Sequence, residues 1–323
     1  MTALAATVPA RAEPAETLRL LDDLEAALTA DGVGLPTGAF DPLRKAARTG
    51  DLPGALLPGP SGDAVGLAVW APPTEVGRRL EAIHLARGYR TAAALDAFLS
   101  AVEQLEGELE VVAVQSTPAG FPPDAARGVL DRHGYRRVVR VDLAWPEERE
   151  APLPDPSIAA SLRPLRSVDE PALAKLLDRA YRDNPIDRAL FRQRRDPSTD
   201  AELGVHQLVT GELGPWLDYA SFGVELAPGG VAGATIVNEF HGALITEVMV
   251  DPAHRRRGYA RALLAATLGA LRARSHRAIR LVVTLSNERA HRLYRAMGFV
   301  PVPGSEGAAW LHADRLHLGP DAV

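Results

Sequence analysis

Two periodicities alternate along the chain, and the order in which they follow one another repeats. Thr17 to Ala30 carries Leu18, Leu21, Leu24 and Leu28 at helical spacing, the stripe of a helix packed on one side. Gly32 and Gly34 stop it, and Asp41 to Ala47 reads as a second short helix. Leu56–Leu57 and Ala64–Trp70 read as strands around the turn PGPSGD. Leu80 to Leu85 is a further strand, and Leu109 to Val114, apolar but for Glu110, reads as a buried strand. Between them, Ala92 to Leu105 places Leu95, Phe98, Leu99 and Val102 on one helical face. A helix from Asp124 to Arg132 ends at Gly134, and a strand from Val138 to Trp145 closes the first half.

Residues 146–157, PEEREAPLPDPS, hold four prolines and four acidic residues without apolar periodicity. That composition predicts an extended linker and a domain boundary. Beyond it, Leu162 to Leu165 is a short strand, and Ser167 with Glu170 suggests a capping box ahead of a helix from Pro171 to Tyr181. Asp183 to Asp200 is polar and arginine-rich and reads as an irregular connection before a helix reaching Val209. Strands at Tyr219–Leu226 and Val231–Asn238 flank Pro228-Gly229-Gly230. A buried strand from Leu244 to Val250, a basic loop, and a helix entered through Gly258 follow. Then come a strand at Ile279–Thr284, a helix from Asn287 to Met297 ended by Gly298, and strands at Phe299–Val302 and Ala309–Leu318. The expected organisation is a disordered tail (1–15), a first domain (16–145), a linker (146–158) and a second domain (159–323).

The halves also share glycine positions. Gly66 in AVGLAVW matches Gly233 in VAGATIV at a separation of 167, Gly88-Tyr89 matches Gly258-Tyr259 at 170, and Gly134-Tyr135 matches Gly298-Phe299 at 164. Three matches at nearly one period suggest an internal duplication.

Composition narrows the chemistry. With 46% hydrophobic and 24% charged residues, the 323-residue chain has the make-up of a globular protein of two ordinary domains. No apolar run approaches a membrane span, and the first residues lack the basic and apolar regions of a signal peptide. The expected setting is the cytoplasm, with no membrane partner. The absence of cysteine excludes disulfides, thiolate metal sites and a cysteine-bound acyl-enzyme. The nine histidines show no metal-ligand spacing, so no metal is expected. The net charge of −5 divides into −7 over residues 1–150 and +2 over 151–323. An acidic first half argues against nucleic acid as the main partner, and the second half is the better place for a polyanionic ligand.

The stretch ALITEVMVDPAHRRRGYARALL, opening at Ala243, concentrates the candidate chemistry. Gly258 lets the backbone approach a ligand closely. The first turn of the helix leaves main-chain N–H groups free, and its dipole favours anions. The loop from Arg255 to Ala260 is therefore a candidate phosphate cradle, with Arg255, Arg256, Arg257 and Arg261 able to add charge-assisted hydrogen bonds. A strand-to-helix turn bearing solvated arginines has the same local pattern; the segment downstream decides between the two.

Residues Arg255-x-x-Gly258-x-Ala260 resemble the Gln/Arg-x-x-Gly-x-Gly/Ala signature of the GNAT superfamily of acyl-CoA-dependent N-acyltransferases. Val248-x-Val250-x-Pro252 supports the match upstream. Asn287-x-x-Ala290-x-x-Leu293-Tyr294-x-x-x-Gly298-Phe299 supports it downstream. The resemblance covers roughly Ala159 to Leu318. It implies an α/β (α+β) chain of two GNAT-like domains, each a central mixed, mostly antiparallel sheet flanked by helices. It implies acetyl-CoA, or another acyl-CoA, as cosubstrate, with its pyrophosphate on the loop that includes Tyr259. Its pantetheine would lie on main-chain groups of Met249 and Val250, where an N–H would polarise the thioester carbonyl. Tyr294 matches the tyrosine near the sulfur, a general acid to the departing thiolate. Asn287 either contacts the pantetheine or caps its helix.

The general base is left open among Glu247, Glu239, His241 and a water. Strict alternation puts Glu247 opposite Val248 and Val250, but a bulge of the kind common in this strand inverts that. The first half lacks the equipment: two residues separate Leu85 from Gly88 where seven separate Val250 from Gly258. At the 164-residue offset, Leu130 and Pro123 stand for Tyr294 and Asn287. It reads as a degenerate copy. The expected activity is N-acetyl transfer to a primary amine, of a small molecule, by direct attack in a ternary complex, in a monomer or homodimer. The alternatives are an acyl-CoA-binding module without turnover, and an acyltransferase acting on a protein N-terminus or a carrier-bound intermediate. The arginines Arg188, Arg192, Arg194 and Arg195 lie in the segment that borders acceptor sites in such folds and would suit an acidic or phosphorylated acceptor, although a solvated loop explains them better.

Overall fold

A computed structural model describes residues 10–11, 14–30, 40–49, 54–71, 74–104, 111–115, 118–227 and 230–318. The chain divides into two units, Met1–Val139 with Gly304–Val323, and Arg140–Pro303. In chain order the first unit begins β1 (Ala10–Arg11), α1 (Pro14–Ala30), α2 (Asp41–Thr49), β2 (Gly54–Pro58), β3 (Ala64–Trp70), β4 (Arg78–Leu85), α3 (Ala92–Glu103), β5 (Val111–Val114) and α4 (Pro123–Arg132). β6 (Tyr135–Trp145) contains the division. The second unit continues with α5 (Pro156–Ala159), β7 (Leu162–Pro164), α6 (Glu170–Ala180), α7 (Pro185–Phe191), α8 (Pro197–Val209), β8 (Phe222–Ala227), β9 (Gly230–Glu239), β10 (Ala243–Val250), α9 (Tyr259–Ala273), β11 (Ile279–Thr284), α10 (Glu288–Met297) and β12 (Val300–Pro301). β13 (Gly307–His312) returns to the first unit.

Each unit carries one mixed sheet with a single parallel pair. In the second unit the strand order is β6-β11-β10-β9-β8-β7, antiparallel throughout except for β10 beside β11. In the first unit β1 to β5 follow in order, with β13 beyond β5, and only β4 beside β5 is parallel. The apolar face read for α3 is buried, whereas α1 buries Leu20, Leu21, Leu24 and Ala27 and leaves Leu18 and Leu28 partly exposed. Leu95, Phe98, Leu99 and Val102 of α3 pack on β3 to β5. Leu264, Leu268 and Leu271 of α9 pack with Ile245, Leu281 and Val283 on one face of the second sheet. The other face meets α6 and α8 through Leu173, Leu176, Val205 and Leu208.

Several expectations are revised. Of the expected tail, residues 1–9 and 12–13 lie outside the described residues, while Ala10–Arg11 pairs with β2 and α1 starts at Pro14. The proline-rich stretch lies inside the second unit rather than between two domains. Arg149 sits over the Trp145 ring at 5.3 Å, and α5 starts at Pro156 behind the Asp155 cap, whose carboxylate accepts from Ser157 N at 2.9 Å. Proline at the first helical position behind an aspartate is a helix start, and Ile158 then buries its side chain. The final strand goes to the first unit because Trp310 and Leu311 pair with Val114 and Ala113 of β5. Asp169, not a Ser167–Glu170 box, takes the Arg166 N–H at 2.8 Å, and Glu170 reaches His206 instead, 3.0 Å away. The connection expected to be irregular contains α7, started by Asn184 and Pro185.

Candidate active site

β10 is shaped by a bulge. Its register with β9 slips between Ile245 and Glu247, leaving Thr246 as the extra residue. The Thr246 hydroxyl lies 2.9 Å from Asn238 Oδ1. Ala243 and Ile245 face the core under α9. Beyond the bulge Val248 takes that side, and Met249 turns into the core under α6 and α8. Glu247, two residues from Met249, therefore shares the α6 side.

The bulge also marks where the sheet opens. β10 pairs with β11 only from Ala243↔Ile279 to Ile245↔Leu281, whereas β11 runs on to Thr284 beside β6. Asp251 N donates to Ala232 O at 2.9 Å. Antiparallel alternation then commits the Met249 main chain to Ala234 and points the amide groups of Val248 and Val250 away from β9, into the opening. The main chain of Val250, one of the two residues expected to hold pantetheine, thus faces the opening. Met249 does not: its main chain is in the ladder and its side chain is 1% exposed. Val248 takes its place.

A cluster of polar side chains surrounds Glu247. Burial, more than any neighbour, pushes its carboxyl up to about 7; nearby Asp187 adds to this, while the Tyr181 hydroxyl and Arg140 oppose it. Tyr181, just past α6, donates to Glu247 Oε2 at 2.9 Å, and burial holds its own phenol well above its ordinary value. Tyr294 of α10 lies in the core on the α9 side and packs edge-on to Phe299 at 6.0 Å. Its phenol is likewise raised, first by burial and then by Glu247 and Asp187. Glu247 and Tyr294 thus approach the parted strands from opposite faces of the sheet.

Asp187 on α7 ties the cluster together. Asn287 caps α10, accepting from Ala290 N at 3.2 Å, and its amide donates to Asp187 Oδ2 at 2.9 Å. Asn184 also donates to that carboxylate. Arg140 extends from β6 on the α6 side, its guanidinium 5.0 Å from the centre of the Phe191 ring. Sequence reasoning missed Tyr181, Asp187 and Arg140. The Asn184-Pro185 helix start was the available signal for Asp187. Glu239 and His241 are not part of the cluster: they form the turn between β9 and β10, where Glu239 accepts from Gly242 N at 2.9 Å and His241 has φ 50°.

In the basic loop the arginines divide. Arg255 grips both carboxylate oxygens of Asp183, donates to Ala180 O at 2.8 Å and reaches Val250 O at 3.3 Å. Its guanidinium fastens the end of α6 to β10, which removes it from the residues expected to meet phosphate. Arg256, Arg257 and Arg261 are exposed and make no ion pair among the described residues. Arg256 and Gly258 both have positive φ, 66° and 85°. Any Cβ at Gly258 would be strained and would meet Ile158 Cδ1 at 3.2 Å. Tyr259 packs beside Val224 and Leu263. The first bond of α9 runs from Ala262 N to Gly258 O, 3.0 Å, so the N–H groups of Tyr259, Ala260 and Arg261 are those a helix start leaves for an anion. Two left-handed residues, a helix start and three uncommitted cations suit a pyrophosphate. Arg188 is held by Asp178 at 3.2 Å, and Arg192 donates to Arg194 O at 3.1 Å. Among the described residues no group of three or more His, Cys, Asp or Glu side chains could hold a metal ion, and no helix is long and apolar enough to cross a membrane.

Residues 184–299, spanning α7 to α10, match the family model of the acetyltransferase (GNAT) family. The second unit carries a GNAT domain. No curated protein matches the chain. Among solved structures, a GCN5-related N-acetyltransferase from Sphaerobacter thermophilus is similar in fold, with a TM-score of 0.59 at 17% identity, covering 94% of this chain and 93% of that one. A tandem GNAT protein from the clavulanic acid biosynthesis pathway has a TM-score of 0.54 at 18% identity, covering 94% and 96%. The GNAT fold therefore extends over both units.

The first unit repeats the plan of the GNAT domain. Gly66 faces Leu85 as Gly233 faces Val250. β4 has its own bulge at Glu81 and leaves β5 after Leu80, as β10 leaves β11 after Ile245. Arg90 Nε donates to Leu85 O at 2.9 Å, as Arg255 Nε does to Val250 O. Two residues beyond the end of pairing, however, stands Ala82 instead of a glutamate, and a short turn at Arg87–Tyr89 replaces the basic loop.

Proposed function

We propose that the second unit transfers an acyl group, acetyl in the first instance, from acyl-CoA to a primary amine of a small molecule by direct attack. The observation that carries this reading is Glu247, a buried carboxyl pushed up to about 7 beside the opening between β10 and β11. A base with that affinity is partly ionised at neutral pH, and it can take the proton of an attacking neutral amine, whose nitrogen becomes strongly acidic as the C–N bond forms. The thioester supplies the activated acyl group. Glu247 accepts the amine proton as the C–N bond forms, and Tyr294 gives its hydroxyl proton to the sulfur as the C–S bond breaks. The raised Tyr294 phenol keeps that proton available at neutral pH. Tyr181 holds the Glu247 carboxyl in place through its 2.9 Å bond. The loop from Arg256 to Arg261 receives the pyrophosphate, and the Val248 and Val250 amide groups face the arm that leads from it.

The first unit, with Ala82 at the position of the base and no basic loop, is read as a non-catalytic copy. The test is release of free thiol from acetyl-CoA in the presence of a panel of amines. Because the protein has no cysteine, a thiol reagent reports the product alone. Amine-dependent release supports an enzyme. Tight CoA binding with no release in the presence of any amine supports a binding module and refutes the proposal.

A further inference from the structure

Arg140 is a polar side chain near Glu247 that the proposed chemistry does not use. It lies on the same face of the second sheet as Glu247: Val141, Leu143 and Trp145 pack in the α9-side core, so Arg140 turns the other way. Its Nε is shielded from solvent and has no hydrogen-bond partner among the described residues. The acids within its electrostatic reach are all engaged elsewhere. Asp187 takes the Asn184 and Asn287 amides, Asp142 lies 3.6 Å from Arg280, and Glu247 accepts from Tyr181. Burial lowers the affinity of the guanidinium for its proton, and these acids partly restore it. A guanidinium carries five N–H donors in one plane. Leaving the buried Nε unpaired is costly, and a planar, two-oxygen anion satisfies that edge of the fork better than any other group. The Phe191 ring covers the flat face and leaves the edge.

We infer that Arg140 binds a carboxylate carried by the amine acceptor. The acceptor is then an amino acid in the broad sense, its amine at Glu247 and its acid group at Arg140. This rests on the amine-acceptor reading above and names its substrate class. With Arg280 beside Asp142, Arg140 faces Asp187 and Glu247, and next to those acids a monoanion meets less repulsion than a dianionic phosphate.

The test uses the full chain with saturating acetyl-CoA and matched pairs of acceptors: glycine, β-alanine, 4-aminobutyrate and phenylalanine, each beside its carboxamide. The wild-type protein should favour the acid over the amide of at least one pair about ten- to a hundredfold in kcat/KM, the range for hydrogen bonds to a charged group. Loss of the Arg140 charge raises the Glu247 pKa, so the proteins are compared at pH 9, above that limb; there Arg140→Gln should erase the ratio mainly through KM, the acid losing at least about tenfold more in kcat/KM than its carboxamide. Arg140→Lys should restore part of it. A wild-type ratio of one or less in every pair overturns the inference, whatever the variants do. So does an Arg140→Gln enzyme that loses acid and amide equally at that pH, because Arg140 would then act through Glu247 alone. Acetylation of carboxamides or other neutral amines alone removes the carboxylate site and leaves the amine-acceptor reading standing. Acetylation of no amine removes both.

Discussion

Replacing Glu247 with Gln removes one proton-accepting oxygen and little else, and its effects on stability and on rate have separate signs. In the folded chain the carboxyl is raised from 4.5 to about 7, chiefly by burial. A shift of that size corresponds to about 3 kcal/mol between protonation states. The folded pKa lies above the unfolded one, so the protonated fold is favoured. That stability is fully present below pH 4.5 and is lost as pH rises through 7. Glutamine cannot ionise and loses nothing over this window. Glu247→Gln should therefore match wild type near pH 4.5 and exceed it by up to about 3 kcal/mol at pH 8.5, or roughly 6–10 °C in the melting temperature of a unit of this size. Turnover should move the other way, falling about 10²–10⁴-fold, the range for losing a general base. The wild-type kcat/KM should rise along a limb near pH 7 that the variant lacks. Calorimetric melting at both pH values and thiol release from pH 5.5 to 9 read these two effects. A variant within a few-fold of wild-type turnover that keeps the limb, or a stability difference that is equal at the two pH values, would refute the reasoning.

Tyr294→Phe should lower kcat about 10²–10⁴-fold while the calorimetric affinity for CoA stays within a few-fold; unchanged turnover would make the residue one of packing. Tyr181→Phe removes the hydrogen bond that lowers the Glu247 pKa, so the acidic limb should move to higher pH; a limb that stays or moves down contradicts the assignment. Converting Arg256, Arg257 and Arg261 together to Gln should weaken CoA binding by at least tenfold, since each hydrogen bond to a charged group is worth about 1.5–3 kcal/mol, with little change in melting temperature because all three are exposed. Arg255→Gln should do the reverse, lowering the melting temperature through loss of the Asp183 and Ala180 contacts; a variant that melts normally but loses CoA would return Arg255 to the phosphate site.

What was legible in the sequence is what local chemistry dictates. The strand, loop and helix around Gly258 announce themselves through an apolar run, a left-handed glycine and a helix start, and the Asn287 to Phe299 segment fixes their family. Side-chain direction on β10 was not legible. It depends on one inserted residue, Thr246, whose effect emerges only in pairing with β9. The same holds for Met249, which belongs to the ladder because of where Asp251 meets Ala232. Arg140 was hidden by a boundary. Prolines from 146 onward mark a break in periodicity, but nothing local tells a strand which unit it will join, and Arg140 to Trp145 pair with Thr284 to Ile279. Tyr181 and Asp187 were hidden by a short helix within a stretch whose arginines suggested only solvation.

The most direct measurement of the central claim is product stoichiometry. Incubation with acetyl-CoA and the amine panel, followed by mass spectrometry of the amines and quantitation of free thiol, should yield one N-acetylated amine per thiol released, with at least about a hundredfold less product from Glu247→Gln in the same time. Acetyl-CoA bound by the protein with no acetylated amine, or equal yields from the two proteins, would contradict it.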